Sequence, residues 1–150
     1  MPENGVTGAN AGTTRDDRHA RGTAAYARIF GVPEDQLPAA FTARVGPVFA
    51  EEQLQAAGGP AWSDPALTSR DRSIAVITAL VAQGVNGDRL EAHLDLARRN
   101  GLGDDALTTL MVLLASYLGY ARASLAMETI HTRAGAQPAE ADHVGNEVTP

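Results

Sequence analysis

Residues 67–101 have the sequence LTSRDRSIAVITALVAQGVNGDRLEAHLDLARRNG, which predicts two short helices joined by a tight turn at Asn86-Gly87. Thr68 is suited to be the N-cap of the first helix, because its hydroxyl can accept a hydrogen bond from the backbone of Asp71. Gly84 is placed to end that helix in the left-handed conformation that glycine adopts most easily. These start and stop signals predict the first helix, and the turn at Asn86-Gly87 joins it to the second helix in an α-helical hairpin.

The second helix of this hairpin carries a histidine among apolar residues. Asp88 and Glu91 have the spacing of an Asp-x-x-Glu variant of the capping box, and Asn100-Gly101 supplies a left-handed stop. Between these ends a stripe at i, i+3, i+4 and i+7 predicts the buried face of the helix; its members are Leu90, His93, Leu94 and Ala97. His93 therefore faces the interior.

Two interpretations of His93 remain open at this stage. A histidine on an apolar helix face can be a core residue whose nitrogens are satisfied by hydrogen bonds. A partly buried imidazole is also the side chain whose proton moves most easily near neutral pH, which suits a general acid or base. The sequence does not choose between them.

The rest of the chain predicts an all-α fold of about six helices, because no stretch shows sustained alternation of apolar and polar residues. We place a helical domain at residues 15–134, between flexible tails at residues 1–14 and 135–150 that are rich in small and polar residues. The other predicted segments are a first helix ending at Gly31, a second over 34–57 that Pro47 breaks or kinks, a loop at Trp62–Pro65, a helix opening at Gly103–Asp105, and a last helix running from Gly119 to Gly135.

Composition excludes several classes of chemistry. The chain of 150 residues contains no cysteine, and all 12 of its basic residues are arginine, so thiol nucleophiles and lysine Schiff bases are unavailable. A net charge of -6 without a basic cluster predicts no nucleic-acid partner. Neither a secretory signal nor a membrane-length apolar run is visible, so we expect a cytoplasmic protein without a membrane partner.

Three segments resemble the carboxymuconolactone decarboxylase family, which is related to alkylhydroperoxidase D-like proteins. They are AWSDPALTSRDRSIAVITALVAQG, RLEAHLDLARRNGLGDDAL and LLASYLGYARASLAME, within about residues 60–132. The most specific parts are a His-x-x-x-Ala-x-x-x-Gly pattern, which starts at His93, and a Trp-Ser-x-Pro loop, which starts at Trp62. The resemblance implies an all-helical subunit that assembles into homotrimers or homohexamers and has its active site near a subunit boundary.

The resemblance also separates two branches of the wider family. Its peroxidases carry Cys-x-x-Cys just before this histidine, and the matching positions here are Asn86 and Arg89. The decarboxylase branch works without cysteine, metal or organic cofactor, so we expect no cofactor. In that reaction the electron pair left by the departing carboxylate spreads toward a carbonyl, and a proton is later delivered to carbon. His93 is the expected catalytic donor, and Asn86 is a candidate for contacting the substrate.

One position departs from the decarboxylase pattern. A second histidine is expected in the last helix, and Leu125 occupies its place, where the side chain would line the substrate site. Glu128 is a candidate acid or base, although a glutamate there can equally be solvated. Tyr117 is a candidate catalytic hydrogen-bond donor and Tyr120 a candidate substrate contact, but both can also be packing residues with exposed hydroxyls.

Two further residues are candidates for binding substrate. Arg122 would orient an acidic or quinone-like molecule through its guanidinium, unless it forms a structural salt bridge. Trp62 would form one wall of a pocket, unless it anchors its loop. Glu128 and His131 form only a weak i, i+3 pair, so we expect no metal site.

Two functional hypotheses follow from these observations. The first is a cofactor-independent enzyme that decarboxylates, dehydrates, isomerises or cyclises a small conjugated acid, lactone or polyketide-like molecule, with His93 as general acid or base. The second is a non-catalytic helical oligomer that serves as a binding or scaffold protein. A cavity beside His93 would favour the enzyme.

Overall fold

The computed structural model describes residues 14–136, and these form eight α-helices without a strand. The helices are α1 (Arg15–Phe30), α2 (Leu37–Val45), α3 (Pro47–Ala57), α4 (Pro60–Ser63), α5 (Ser69–Gln83), α6 (Asp88–Arg99), α7 (Asp104–Leu118) and α8 (Tyr120–Ala136). The all-α prediction is thus confirmed, whereas the number of helices is not. The predicted flexible tails fall almost wholly outside the described residues.

Prolines account for the two additional helices. Gly46 has φ +84° and Pro47 takes the first helical position, so the predicted segment 34–57 is two helices and not one kinked helix. Pro60 starts a single helical turn that includes Trp62, where the sequence predicted a loop. Helix α8 also continues through Gly135, which was expected to stop it.

Capping explains where the central hairpin begins and ends. The Thr68 hydroxyl accepts a hydrogen bond from the Asp71 amide at 3.1 Å, and Asp71 accepts one from the Thr68 amide at 3.0 Å, which confirms this N-cap. Gly84 ends α5 in the left-handed region at φ 70°. The predicted capping box at Asp88 is wrong. Gly87, at φ 69°, is the N-cap of α6, and Asp88 is already the first helical residue.

The buried residues form two apolar clusters. The first joins α5, α6, α7 and α8 through residues that include Ile77, Leu94, Leu107 and Ile130. The second joins α1, α2 and α3 through Ala27, Leu37, Phe41, Ala50 and Leu54. Helix α1 packs on both α3 and α6 and so connects the two clusters. The space beside α6 at this junction contains the site described below.

Two glycines let α1 approach α3 closely. A Cβ added at Gly22 would lie 2.9 Å from Cα of Leu54, and closer still to its carbonyl group. A Cβ at Gly58 would overlap the backbone of Arg18 in the same way. The two backbones therefore pack with no room for a side chain between them. Within residues 14–136, no helix is both long enough and apolar enough to cross a membrane.

Candidate functional site

Helix α6 places His93 at the edge of a buried stripe. Leu90, Leu94 and Ala97 are each 0% exposed and belong to the cluster formed with α5, α7 and α8. His93 is only half-buried, and its side chain faces the opposite cluster. The predicted inward stripe is confirmed, and His93 lies on the side of it that faces α1, α2 and α3.

The His93 imidazole opens onto a cavity of about 240 Å³ between the two apolar clusters. Three groups of side chains line this space, which we call the His93 cavity. They are aromatic residues (Tyr26, Phe30, Phe41, Phe49, Trp62), aliphatic residues (Ile29, Val45, Val76, Leu80, Ala92) and polar residues (Arg44, Gln53, Arg89, His93). A mostly apolar cavity with a few convergent polar groups is typical of small-molecule sites.

No hydrogen bond joins the His93 side chain to any other of residues 14–136. Burial lowers the pKa of His93 below its usual value of 6.5, because removing solvent disfavours the charged form. The imidazole is therefore neutral near pH 7 and carries a lone pair that can accept a proton. The interpretation of His93 as a hydrogen-bonded core residue does not fit these contacts.

Tyr26 and Gln53 form the polar part of the wall that α1 and α3 contribute. The Tyr26 hydroxyl donates to Oε1 of Gln53 at 3.1 Å, which fixes the orientation of the amide. Burial raises the pKa of Tyr26, and the positive charge of Arg89 partly opposes that shift. Tyr26 is therefore a neutral hydrogen-bond donor at physiological pH.

Three aromatic rings in mutual contact form the adjoining wall, with their planes tilted by 31–46° to one another. The ring centroid of Tyr26 lies 4.9 Å from that of Phe41 and 5.7 Å from that of Phe30. Phe30 and Phe41 are 5.9 Å apart, within the range of favourable aromatic pairs. These rings give a conjugated guest a large apolar surface to pack against.

Two arginines give the cavity a positive edge. Arg44, in the last turn of α2, has its guanidinium carbon 5.9 Å from the centre of the Phe30 ring. Its only ion pair with a described residue is a 4.0 Å contact with Asp88, and both side chains are largely exposed. Arg89 lines the cavity from the first turn of α6.

Of the residues that the sequence analysis selected, only His93 and Trp62 line this cavity. Tyr120 and Glu128 lie instead along an apolar groove of about 430 Å³ between α7 and α8, together with His131. Tyr117 is 80% exposed, Leu125 is 47% exposed, and neither lines this groove or the His93 cavity. Within one chain, the predicted grouping of these residues with His93 is therefore not found.

Arg122 and Asn86 are likewise outside the cavity. The Arg122 guanidinium donates to the carbonyl of Ala82 near the C-terminal end of α5, which is a structural contact between helices. Asn86 is exposed in the turn between α5 and α6. Among the described residues, no three His, Asp or Glu side chains come together as a metal site would require.

The comparisons with known proteins identify the family. The model of the carboxymuconolactone decarboxylase family matches residues 47–131, which is more than half of the chain. The chain therefore belongs to the carboxymuconolactone decarboxylase family. No curated protein and no solved structure gives a significant match.

The matched region contains only part of the His93 cavity. Tyr26, Phe30, Phe41 and Arg44 all precede residue 47, on α1 and α2. These residues could not be selected from the sequence, because helical periodicity shows which face of a helix is buried but not which helix that face meets. The concentration of aromatic residues before position 50, including all three phenylalanines, is the signal that could have drawn attention to them.

The lowered pKa of His93 predicts a pH dependence of stability. Below about pH 6.5 the unfolded chain takes up a proton that the folded imidazole resists, so the free energy of unfolding falls as pH decreases toward the folded pKa. Urea denaturation at pH 7.5 and pH 5.5 should show this loss in the wild type, and a smaller loss in His93→Gln. An NMR titration should place the His93 midpoint below 6.5, and a midpoint above that value would contradict the assignment.

Proposed function

We propose that this protein is a cofactor-independent enzyme that transfers a proton on a small conjugated acid, lactone or polyketide-like molecule, with His93 as the general base. The observation that carries the proposal is an imidazole that forms no hydrogen bond with any other residue of the described range 14–136, that burial biases toward the neutral form, and that lies at the wall of a ligand-sized cavity. A solvent-accessible histidine with the usual pKa of about 6.5 would be partly protonated near pH 7, and the protonated fraction could not act as a base.

The proposed step starts from a C–H bond next to a conjugated carbonyl. The His93 lone pair takes the proton, the C–H electron pair moves into the conjugated system, and negative charge develops on the carbonyl oxygen. Return of the proton at another carbon gives an isomer. If a β-hydroxyl group leaves instead, it takes up that proton and departs as water, which is dehydration. In decarboxylation, the C–C bond supplies the electron pair as carbon dioxide leaves, and a proton is then added to carbon.

Gln53 is suited to stabilise the oxygen on which charge develops. Since its Oε1 accepts the hydrogen bond from Tyr26, its two amide N–H groups remain available to a guest in the cavity. A donor fixed before the reaction needs little reorganisation when the charge forms, which is the basis of oxyanion stabilisation. This arrangement supplies a base and a donor from the protein alone, and we propose that the reaction takes place in the cytoplasm.

Proton exchange with solvent tests the proposal directly. Wild-type protein is incubated in D₂O with an unsaturated γ-lactone acid and a β,γ-unsaturated acid, each of which carries a weakly acidic C–H bond next to a carbonyl or conjugated to one, and ¹H NMR follows loss of that C–H signal relative to a sample without protein. Exchange or turnover that the His93→Gln variant lacks supports the enzyme. Equal behaviour of both proteins across the set supports the non-catalytic alternative.

We also propose that the chain forms a homotrimer or homohexamer through an exposed apolar face of α7 and α8. On α7, Val112 is 67%, Leu113 is 55% and Tyr117 is 80% exposed, and Tyr120, the first residue of α8, is 82% exposed. These exposures support an interface on the outer face of α7, while its inner face packs in the core through Leu107, Met111 and Leu114. Contiguous apolar residues on a surface mark interaction sites.

Placing a charge on this face should disrupt assembly. In Val112→Glu, burying a carboxylate between subunits would leave it without a partner, so we expect the oligomer to dissociate by at least one step at micromolar concentration. Size-exclusion chromatography with light scattering measures the mass. Ala79→Glu, on the exposed face of α5, is the control and should assemble like the wild type. A monomeric wild type would contradict the proposal.

A further inference from the structure

We infer that Arg44 determines the charge of the molecule that the His93 cavity accepts, so that a planar carboxylate is preferred over its neutral analogue. Arg44 is on α2 and precedes the region that the family model matches. The inference rests on the proposed use of the His93 cavity as a substrate site, but not on any turnover there.

The contacts of Arg44 leave its guanidinium available to a guest. It forms no hydrogen bond with another residue in the described part of the chain, and its 4.0 Å ion pair with Asp88 is longer than a hydrogen bond. Asp88 is 88% exposed at its side chain, so water competes strongly for it. A carboxylate entering the cavity edge can replace this weak pair with a bidentate one, which is the geometry that a guanidinium favours.

The position of Arg44 links recognition of a guest's carboxylate to packing of its conjugated frame. Its guanidinium lies over Phe30, whose ring packs with Tyr26 and Phe41 to form the aromatic wall of the cavity. A molecule whose conjugated frame packs against this wall with a carboxylate at one end therefore places the carboxylate near Arg44. Arg89 adds a second positive charge at the same edge. Among residues 14–136, no acidic side chain lines the cavity itself, and the exposed Asp88 is the only one that pairs with Arg44.

Trp62 makes the inference measurable without a known substrate. It is the only tryptophan of the chain and it lines the His93 cavity, so its fluorescence reports on occupancy. The probes are trans-cinnamate and cinnamyl alcohol, which share a planar conjugated frame and differ in charge. We expect the wild type to bind cinnamate about 10-fold more tightly than the alcohol at low ionic strength, the size typical of a charge-assisted hydrogen bond near the surface.

Three variants then assign the preference to Arg44. Arg44→Gln should weaken cinnamate binding about 10-fold and leave the binding of cinnamyl alcohol unchanged. Arg70→Gln removes the same charge from an exposed position outside the cavity and should alter neither. Asp88→Asn removes the competing carboxylate and should strengthen cinnamate binding by a few-fold, because Asp88 is the only described partner of Arg44 in an ion pair.

Several outcomes would overturn the inference. These are equal affinity of the wild type for acid and alcohol, equal weakening of both by Arg44→Gln, displacement of cinnamate by inorganic phosphate at equal concentration, or no saturable quenching by cinnamate. The outcome of this binding experiment is independent of whether the protein catalyses the proposed proton transfer. Selective binding of cinnamate without proton exchange would refute the proposed reaction and support the inference, whereas exchange without charge selectivity would do the reverse.

Discussion

Gly22→Ala is expected to lower the free energy of unfolding by about 2–3 kcal/mol, although alanine is the better helix former. The added methyl group would overlap the carbonyl group of Leu54. Backbone atoms cannot rotate away as a side chain would, so α1 and α3 must separate. Overpacking usually costs about 1–3 kcal/mol and occasionally more, and overlap with the backbone of Leu54 places this case at about 3–4 kcal/mol. The gain in helix propensity of roughly 1 kcal/mol leaves a net loss of about 2–3 kcal/mol. Thermal unfolding should shift down by about 5–10 °C.

The control for this prediction is Gly103→Ser. A Cβ at Gly103 would meet no atom within 4 Å, and Gly103 is the N-cap of α7, where serine is a preferred residue. We expect its stability to equal or slightly exceed that of the wild type. Separation of α1 from α3 would also break the hydrogen bond between Tyr26 and Gln53. An unchanged or raised melting temperature in Gly22→Ala would show that the close helix packing is not required.

The fold was predictable where the signal lay within a few neighbouring residues. The Thr68 cap and the left-handed Gly84 are local structures, and both are observed. The errors are local as well. Asp88 was taken as an N-cap because of its spacing to Glu91, but Gly87 adopts a positive φ and lets the helix begin one residue after it. The predicted break or kink at Pro47 is confirmed as a break, because α2 ends at Val45 and Pro47 takes the first position of α3.

The site was only partly predictable, because it is made by contacts between distant segments. His93 and Trp62 stood out as unusual residues in their local context, and both line the cavity. Tyr26, Phe41 and Arg44 enter it only because α1 and α2 pack against the free side of α6. The periodic pattern of α6 buries Leu90 and Leu94 against α7 and α8, so residues of those helices lie on the far side from His93. This packing explains why Glu128 and Tyr120 lie in a different groove.

His93→Gln is expected to reduce kcat/KM for the true substrate by about 10²–10⁴-fold, the range typical of a lost general base. That factor corresponds to about 3–5 kcal/mol of transition-state stabilisation. Glutamine keeps a polar group of similar size at the cavity wall but cannot accept a proton at neutral pH. Steady-state kinetics measures the effect, and the affinity for cinnamate should change little.

Two comparisons make this prediction specific to the His93 cavity. His131→Gln and Glu128→Gln change titratable residues of the α7–α8 groove, and we expect both variants to keep wild-type kcat/KM. Loss of activity in either variant, with His93→Gln unaffected, would place the reaction in that groove instead.

The pH profile of activity distinguishes a general base from a general acid. Because burial lowers the pKa of His93, a base should lose activity only as pH falls through that lowered pKa and should be fully active above it. Activity that instead declines as pH rises through this pKa would mean that the imidazolium is the reactive form, and that the proposed direction of proton transfer must be reversed.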